Sequence, residues 1–99
     1  MMYARSSIII DVLYMITSAQ LRAARALLGM DQRTLADLSG LSLPTIQRME
    51  GSGGQIRGNV DSLVKLVGAL ETAGIELIGE GTVSPTGGRG VRLRGSGER

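Results

Sequence analysis

The apolar positions of this chain recur every three or four residues through most of its middle, and the breaks in that rhythm fall at Gly, Asp, Ser and Asn. Leu21, Ala24 and Leu28 form the first stripe. Thr17 precedes it as an N-cap, Gln20 three residues later completes a capping box, and Gly29 stops the helix. Asp31 caps a second, short helix, "QRTLADLS", whose Leu35, Ala36 and Leu38 are expected to face inward. Gly40 ends it, in the left-handed conformation that Gly adopts without strain. Ser42 caps a third helix carrying Thr45, Ile46 and Met49. Pro44 falls in its first turn, where the N–H that proline lacks would have no intrahelical partner anyway. The Gly-rich "GSGGQIRGN" (Gly51 to Asn59) reads as a connecting loop. Asn59 then caps a fourth helix reaching about Ala73, with Leu63, Leu66, Val67 and Leu70 as its apolar face.

After Gly74 the period shortens. "IELI" (Ile75 to Ile78) and "VRLR" (Val91 to Arg94) flank a stretch of Gly, Pro, Thr and Ser, which predicts a wide β-hairpin with Val91 and Leu93 on one face and Arg92 and Arg94 on the other. The final "GSGER" reads as frayed. At the other end, "SIIIDVLYMI" (Ser7 to Ile16) is too short to span a bilayer and carries Asp11 in its middle, and its Ile and Val content favours an extended segment. No small-residue cleavage site follows it, as a signal peptide would need. Two readings stay open for it: an apolar extension with its own role, or an upstream addition to a chain that starts naturally at Met15. The pattern thus divides the chain into an N-terminal apolar extension (1–14), a helical domain (15–79), and the hairpin return with a frayed tail (80–99).

Composition narrows the chemistry. Ninety-nine residues make one domain with one modest core. Without Cys or His there is no thiolate or imidazole nucleophile, zinc finger or disulfide framework. The carboxylates are scattered over separate elements, so neither an acid and base pair nor a metal-ligand cluster is expected. We therefore expect a chain that is not an enzyme and holds no metal and no cofactor. The loop from Gly51 follows a helix and lacks the Lys-Ser/Thr ending of a phosphate-binding loop. The five Met residues serve as gap-fillers in a core without Phe or Trp. Of the net charge of +2, the excess lies in the C-terminal tail, and the helical part is neutral. A nucleic-acid partner must therefore be argued from where particular residues lie, not from bulk charge.

Gln32 to Gly51 is two short helices joined by a tight turn around Gly40, the spacing of a helix-turn-helix. Ala36 is small where two helices approach closely, and Ile46 plugs the second helix onto the core. With Ile46 and Met49 committed inward, the outer face of that helix is Ser42, Leu43, Pro44, Gln47 and Arg48.

The stretch "ARALLGMDQRTLADLSGLSLPTIQRMEG" (Ala24 to Gly51) resembles the lambda-repressor-like (Cro/cI, or XRE) helix-turn-helix regulators of bacteria and phage. The resemblance rests on Gln32, Leu35, Ala36, the turn Gly40, Ser42, Ile46 and the exit Glu50-Gly51. With "ALETAGIELI" and "GVRLR" included it extends over about Met15 to Arg94. It implies a mainly α fold, a lambda-repressor-like DNA-binding domain of four core helices with a C-terminal β-hairpin. It also implies a cytoplasmic regulator of transcription, a repressor binding double-stranded DNA as a homodimer on an inverted-repeat operator, and no membrane partner.

Carried over by residue, the third helix would enter the major groove and present Ser42, Leu43, Pro44, Gln47 and Arg48 to the bases. Arg48 can fork onto guanine and Gln47 pair with adenine, each pair giving about 1–3 kcal/mol of discrimination. Leu43 and Pro44 suit thymine methyl groups. Gln32 resembles the family's phosphate clamp, and Arg33 and Arg57 could add phosphate contacts. Arg25 and Glu50 match positions that form a buried ion pair in the family, a structural role. In place of the basic, Pro-containing loop that many members carry, this chain has "SGGQIRGN" with one Arg. That departure keeps a second reading alive: a protein-interaction module on the same scaffold, an antitoxin or antiactivator that binds a protein partner through Leu43, Pro44, the Ile8 to Leu13 run or the hairpin.

Overall fold

The computed structural model describes residues 16–79 and 87–95. The apolar extension, and residues 96–99 of the ending expected to fray from Gly95, lie outside that span. Among the described residues four helices, α1 (Ser18–Leu28), α2 (Gln32–Ser39), α3 (Leu43–Gly51) and α4 (Val60–Thr72), precede two antiparallel strands, β1 (Ile75–Ile78) and β2 (Gly90–Leu93). The fold is therefore mainly helical, a lambda-repressor-like arrangement with a C-terminal hairpin.

Every helix starts at a residue whose side-chain oxygen takes up one of the orphan N–H groups of the first turn. Thr17 accepts from Gln20, Asp31 from Thr34, Ser42 from Thr45 and Asn59 from Ser62. The stops differ. Gly29 and Gly40 close α1 and α2 in the left-handed region, at φ 64° and 75°. α3 runs through Gly51 instead of stopping before it, because Ser52 stays right-handed and its hydroxyl donates back to the Met49 carbonyl at 3.0 Å. In the turn between α2 and α3 the Ala36 carbonyl accepts from both Gly40 and Leu41, which fixes the angle at which α3 leaves α2.

One core holds the helices together. Leu21, Leu35, Ile46, Met49, Leu66 and Leu70 are fully buried, at least one from each helix, and each such side chain contributes about 1.5–3 kcal/mol. Leu38 is not among them, contrary to the expected inward face: it is 56% exposed. The buried residues of α2 are Leu35, Ala36 and Ser39. Leu38 lies roughly 100° round the helix from their centre, at the rim.

The Gly-rich loop is more than a connector. The Ser18 amide donates to the Gly54 carbonyl at 2.9 Å, and Ile56 donates to Ile16 at 3.2 Å. Ile56 itself is 3% exposed, so the loop drops an apolar anchor into the core. The end of α3 is thereby tied to the entry of α1.

The hairpin pairs Ile75 with Leu93 through to Ile78 with Gly90. Leu77 and Val91 pack against the core, while Leu93 stays 46% exposed. On the other face Arg92 pairs across the strands with Glu76 at 2.8 Å, and Arg94 donates to the Glu71 carbonyl. Gln20 locks the hairpin to α1. Its side-chain oxygen accepts from Thr17 in the capping box, while its Nε2 donates to the carbonyls of Ile78 and Gly90 at 3.1 and 2.9 Å. One buried amide thus caps a helix and closes the end of a two-stranded sheet. Gln20→Ala strands two strand carbonyls and should cost about 2 kcal/mol or more. In thermal denaturation this should lower the midpoint by several degrees, whereas Ala19→Gln on the exposed side of the same turn should not.

Candidate nucleic-acid interface

The outer face of α3 follows from what its inner face is doing. Ile46 and Met49 are buried at 0% and 1%, and Glu50 at 5%. That leaves Pro44, Gln47 and Arg48 exposed. Helical spacing stands Arg48 one turn after Pro44, and Gln47 one turn after Leu43, so the residues form two adjacent columns. The side chains of Gln47 and Arg48 have no hydrogen bond or ion pair among the described residues, so both can bond outside the chain.

Two residues of the expected reading face are placed differently. Leu43 is half-buried and packs against the core, because the first turn of α3 lies close to the body of the domain. Ser42 is exposed, but its hydroxyl is occupied: it accepts from the Thr45 amide and shares a 2.8 Å hydrogen bond with the Thr45 hydroxyl. Ser42 sets where the helix starts.

The position of α3 depends on Glu50. Its carboxylate receives Arg25 through two hydrogen bonds, Nε to Oε2 at 2.6 Å and Nη2 to Oε1 at 2.9 Å, and receives Gln32 Nε2 at 3.0 Å. Arg25 also donates to the Met30 carbonyl, just before α2. Arg22 donates to the backbone carbonyl of Glu50, a contact not anticipated from the sequence. Three helices therefore converge on one residue at the end of α3. Burial pushes the Glu50 carboxyl up, but the hydrogen bonds from Arg25 and Gln32 and the nearby charges of Arg25 and Arg22 outweigh it, and the group is held below the usual range. The Arg25 guanidinium is raised in turn, chiefly by its hydrogen bond to Glu50.

Gln32 thus has one amide hydrogen pinned to Glu50 and one still to donate. It sits at the start of α2, beside the first-turn N–H groups of Gln32 and Arg33, which lack intrahelical partners. The Asp31 carboxylate takes the Thr34 N–H and is held below its ordinary range chiefly by that bond. Arg33 and Arg57 are exposed, without hydrogen bond or ion pair among the described residues. By contrast Arg92 and Arg94 of the hairpin are engaged by Glu76 and Glu71.

A family model described as helix-turn-helix matches residues 21–73, more than half of the chain. The chain belongs to the Cro/cI, XRE-type helix-turn-helix family. No curated protein matches it. As a member of this family the chain is a DNA-binding helix-turn-helix regulator, and the family is not ordinarily enzymatic. Among the described residues no acidic group could hold a metal, and no helix is long and apolar enough to cross a membrane.

Removing the Glu50 carboxylate leaves Arg25 partly buried without its partner, so Glu50→Ala should cost about 3 kcal/mol in denaturant unfolding, with Arg48→Ala near neutral in the same assay. Because the folded state lowers the Glu50 pKa, its contribution is fully present above about pH 4.5 and is lost as pH falls through the folded value. The thermal midpoint of the wild type should fall accordingly between pH 6 and 3. Glu50→Gln, which keeps the shape without the charge, should be less stable at pH 6 and flatter over that range; an equally steep acid loss would mean the pair is not the cause.

Proposed function

We propose that the protein is a sequence-specific transcriptional repressor that binds an inverted-repeat operator as a homodimer, with α3 lying in the major groove. The observation that carries this reading is the free, adjacent pair of Gln47 and Arg48 on a helix whose inner face and end are locked by Ile46, Met49 and Glu50. A helix already held in one position loses little backbone freedom on docking, so only the two side chains have to be ordered for base reading.

Each residue then has a role. Arg48 forks onto a guanine and Gln47 pairs with an adenine, while Pro44 offers an apolar contact to a thymine methyl group. Leu43 is restricted to what its half-buried position leaves exposed, and Ser42 acts by capping. The remaining N–H of Gln32, together with the α2 amides beside it, Arg33 and Arg57, holds phosphates and sets the register. These are few contacts on a neutral domain, so the salt dependence should be modest for a dimer, nearly one unit of slope per phosphate neutralised. The alternative, an antitoxin or antiactivator that captures a protein through this face, has less to work with, because Leu43 is already packed against the chain's own core.

Selection from random duplex DNA should recover an inverted repeat with half-sites about one helical turn apart. Recovery of no motif would overturn the operator reading and favour the protein partner. On the recovered duplex, Arg48→Ala should weaken binding about 5- to 150-fold, the equivalent of roughly 1–3 kcal/mol, and should lose preference at one base pair per half-site. An equal loss on random DNA would reduce Arg48 to a phosphate contact.

A further inference from the structure

The two halves of the outer face of α3 differ in chemistry. Gln47 and Arg48 carry donors that have no partner among the described residues. The first turn offers the groove almost none. Of the N–H groups that a helix start leaves without intrahelical partners, that of Thr45 donates to the Ser42 hydroxyl at 3.2 Å, and Pro44 has no N–H at all. The amides of Ser42 and Leu43 point back along the helix axis, away from the side-chain face. The hydroxyls of Ser42 and Thr45 are bonded to each other at 2.8 Å. Leu43 is half-buried and Pro44 exposed, so the side-chain surface of this turn is hydrocarbon, with the Pro44 ring outermost.

We propose that Pro44 reads the C5-methyl group of a pyrimidine and nothing else on that base, so that the protein accepts 5-methylcytosine in place of thymine in its operator and prefers both to unmethylated cytosine. The proposal rests on the DNA reading above and names what this part of α3 recognises. In the major groove thymine and 5-methylcytosine present the same methyl group at the same place. They differ beside it, where thymine shows the O4 acceptor and cytosine the N4 donor.

Telling those two groups apart takes a fixed donor or a fixed acceptor. A proline ring is neither. The Ser42 and Thr45 pair has one hydroxyl hydrogen left over, but a hydroxyl both donates and accepts, so it satisfies O4 and N4 alike. The first turn therefore senses the methyl group and is indifferent to the exocyclic group at C4. A cytosine at this position gains affinity when it is methylated at C5, which makes methylation of the operator a signal that strengthens binding. Pro44 and Arg48 stand in one column about 6 Å apart along the helix, against about 3.4 Å per base step, so the methyl group lies one or two steps from the guanine read by Arg48.

On the duplex recovered by selection, that guanine is located as the base pair whose preference is lost in Arg48→Ala, and a thymine should stand one or two base pairs from it. Replacing this thymine by deoxyuridine removes one methyl group and keeps the pair with adenine. Binding should weaken about fourfold per half-site, the effect of uncovering one carbon of CH₂ size. Cytosine should bind as deoxyuridine does, and 5-methylcytosine should come within about twofold of thymine. In Pro44→Ser, with its fold checked by circular dichroism and thermal midpoint, the ratio of thymine to deoxyuridine affinity should fall to near one. The absence of a thymine at that distance, equal binding of thymine and deoxyuridine, 5-methylcytosine binding no better than cytosine, or an unchanged ratio in Pro44→Ser would each overturn the proposal. If Pro44→Ser does not fold, the base replacements on the wild type decide it. Recovery of no motif removes the DNA reading and this proposal with it, whereas a motif indifferent to the methyl group removes the proposal alone.

Discussion

The arrangement of this domain turns on one buried carboxylate. Glu50 ends the helix that carries the exposed Gln47 and Arg48, and it is held by Arg25 from α1 and Gln32 from α2, with Arg22 bonded to its carbonyl. A charge at 5% exposure is costly in isolation. Here it has a bidentate guanidinium and an amide, so it is satisfied only when the three helices stand in one relative position. An apolar residue at 50 could pack as well but would accept several neighbouring orientations. The ion pair contributes geometry at least as much as free energy, which is the use to which buried pairs are best suited.

The same economy appears at the other end of the molecule. Gln20 caps α1, and its amide group bridges the open end of the hairpin, so the sheet cannot move without uncapping the helix. The loop after α3 is held to the residues before α1 by Ile56 and by backbone bonds to Gly54 and Ile16. Both ends of α3 are thus tied: its start by the Ser42 cap and the Gly40 turn, its end by Glu50 and this loop. An otherwise small core is supplemented by polar clamps wherever an element must hold a fixed orientation.

Most of the fold was legible in the sequence because it is written in local code. Thr17, Asp31, Ser42 and Asn59 each cap the helix that their spacing predicts, and the change of period after Gly74 marks the hairpin. What escaped are relations between distant residues. The bond from Gln20 to the hairpin carbonyls spans 58 and 70 positions and leaves no local trace. Ile56 did leave one, a lone large aliphatic in a run of glycines, which is more naturally an anchor than a linker residue. Leu38 misled because on an eight-residue helix a periodic position at the rim cannot be told from one at the centre. Leu43 misled for the converse reason: residues in the first turn of a helix are oriented by the preceding turn, and the tight Gly40 turn brings it down onto the core.

These constraints bear on how a neutral domain could bind a polyanion. Without a basic surface, long-range attraction is weak, so affinity must come from contacts already in place before the encounter. A rigid α3 meets that condition for one half-site, but a handful of polar contacts from one small domain leaves the complex weak. Coupling two copies changes the arithmetic, because once the first helix is seated the second binds at an effective concentration set by the link, with no new contact to DNA. In the proposed dimer the locked α3 would serve each copy alike, so that both half-sites are read in a single register.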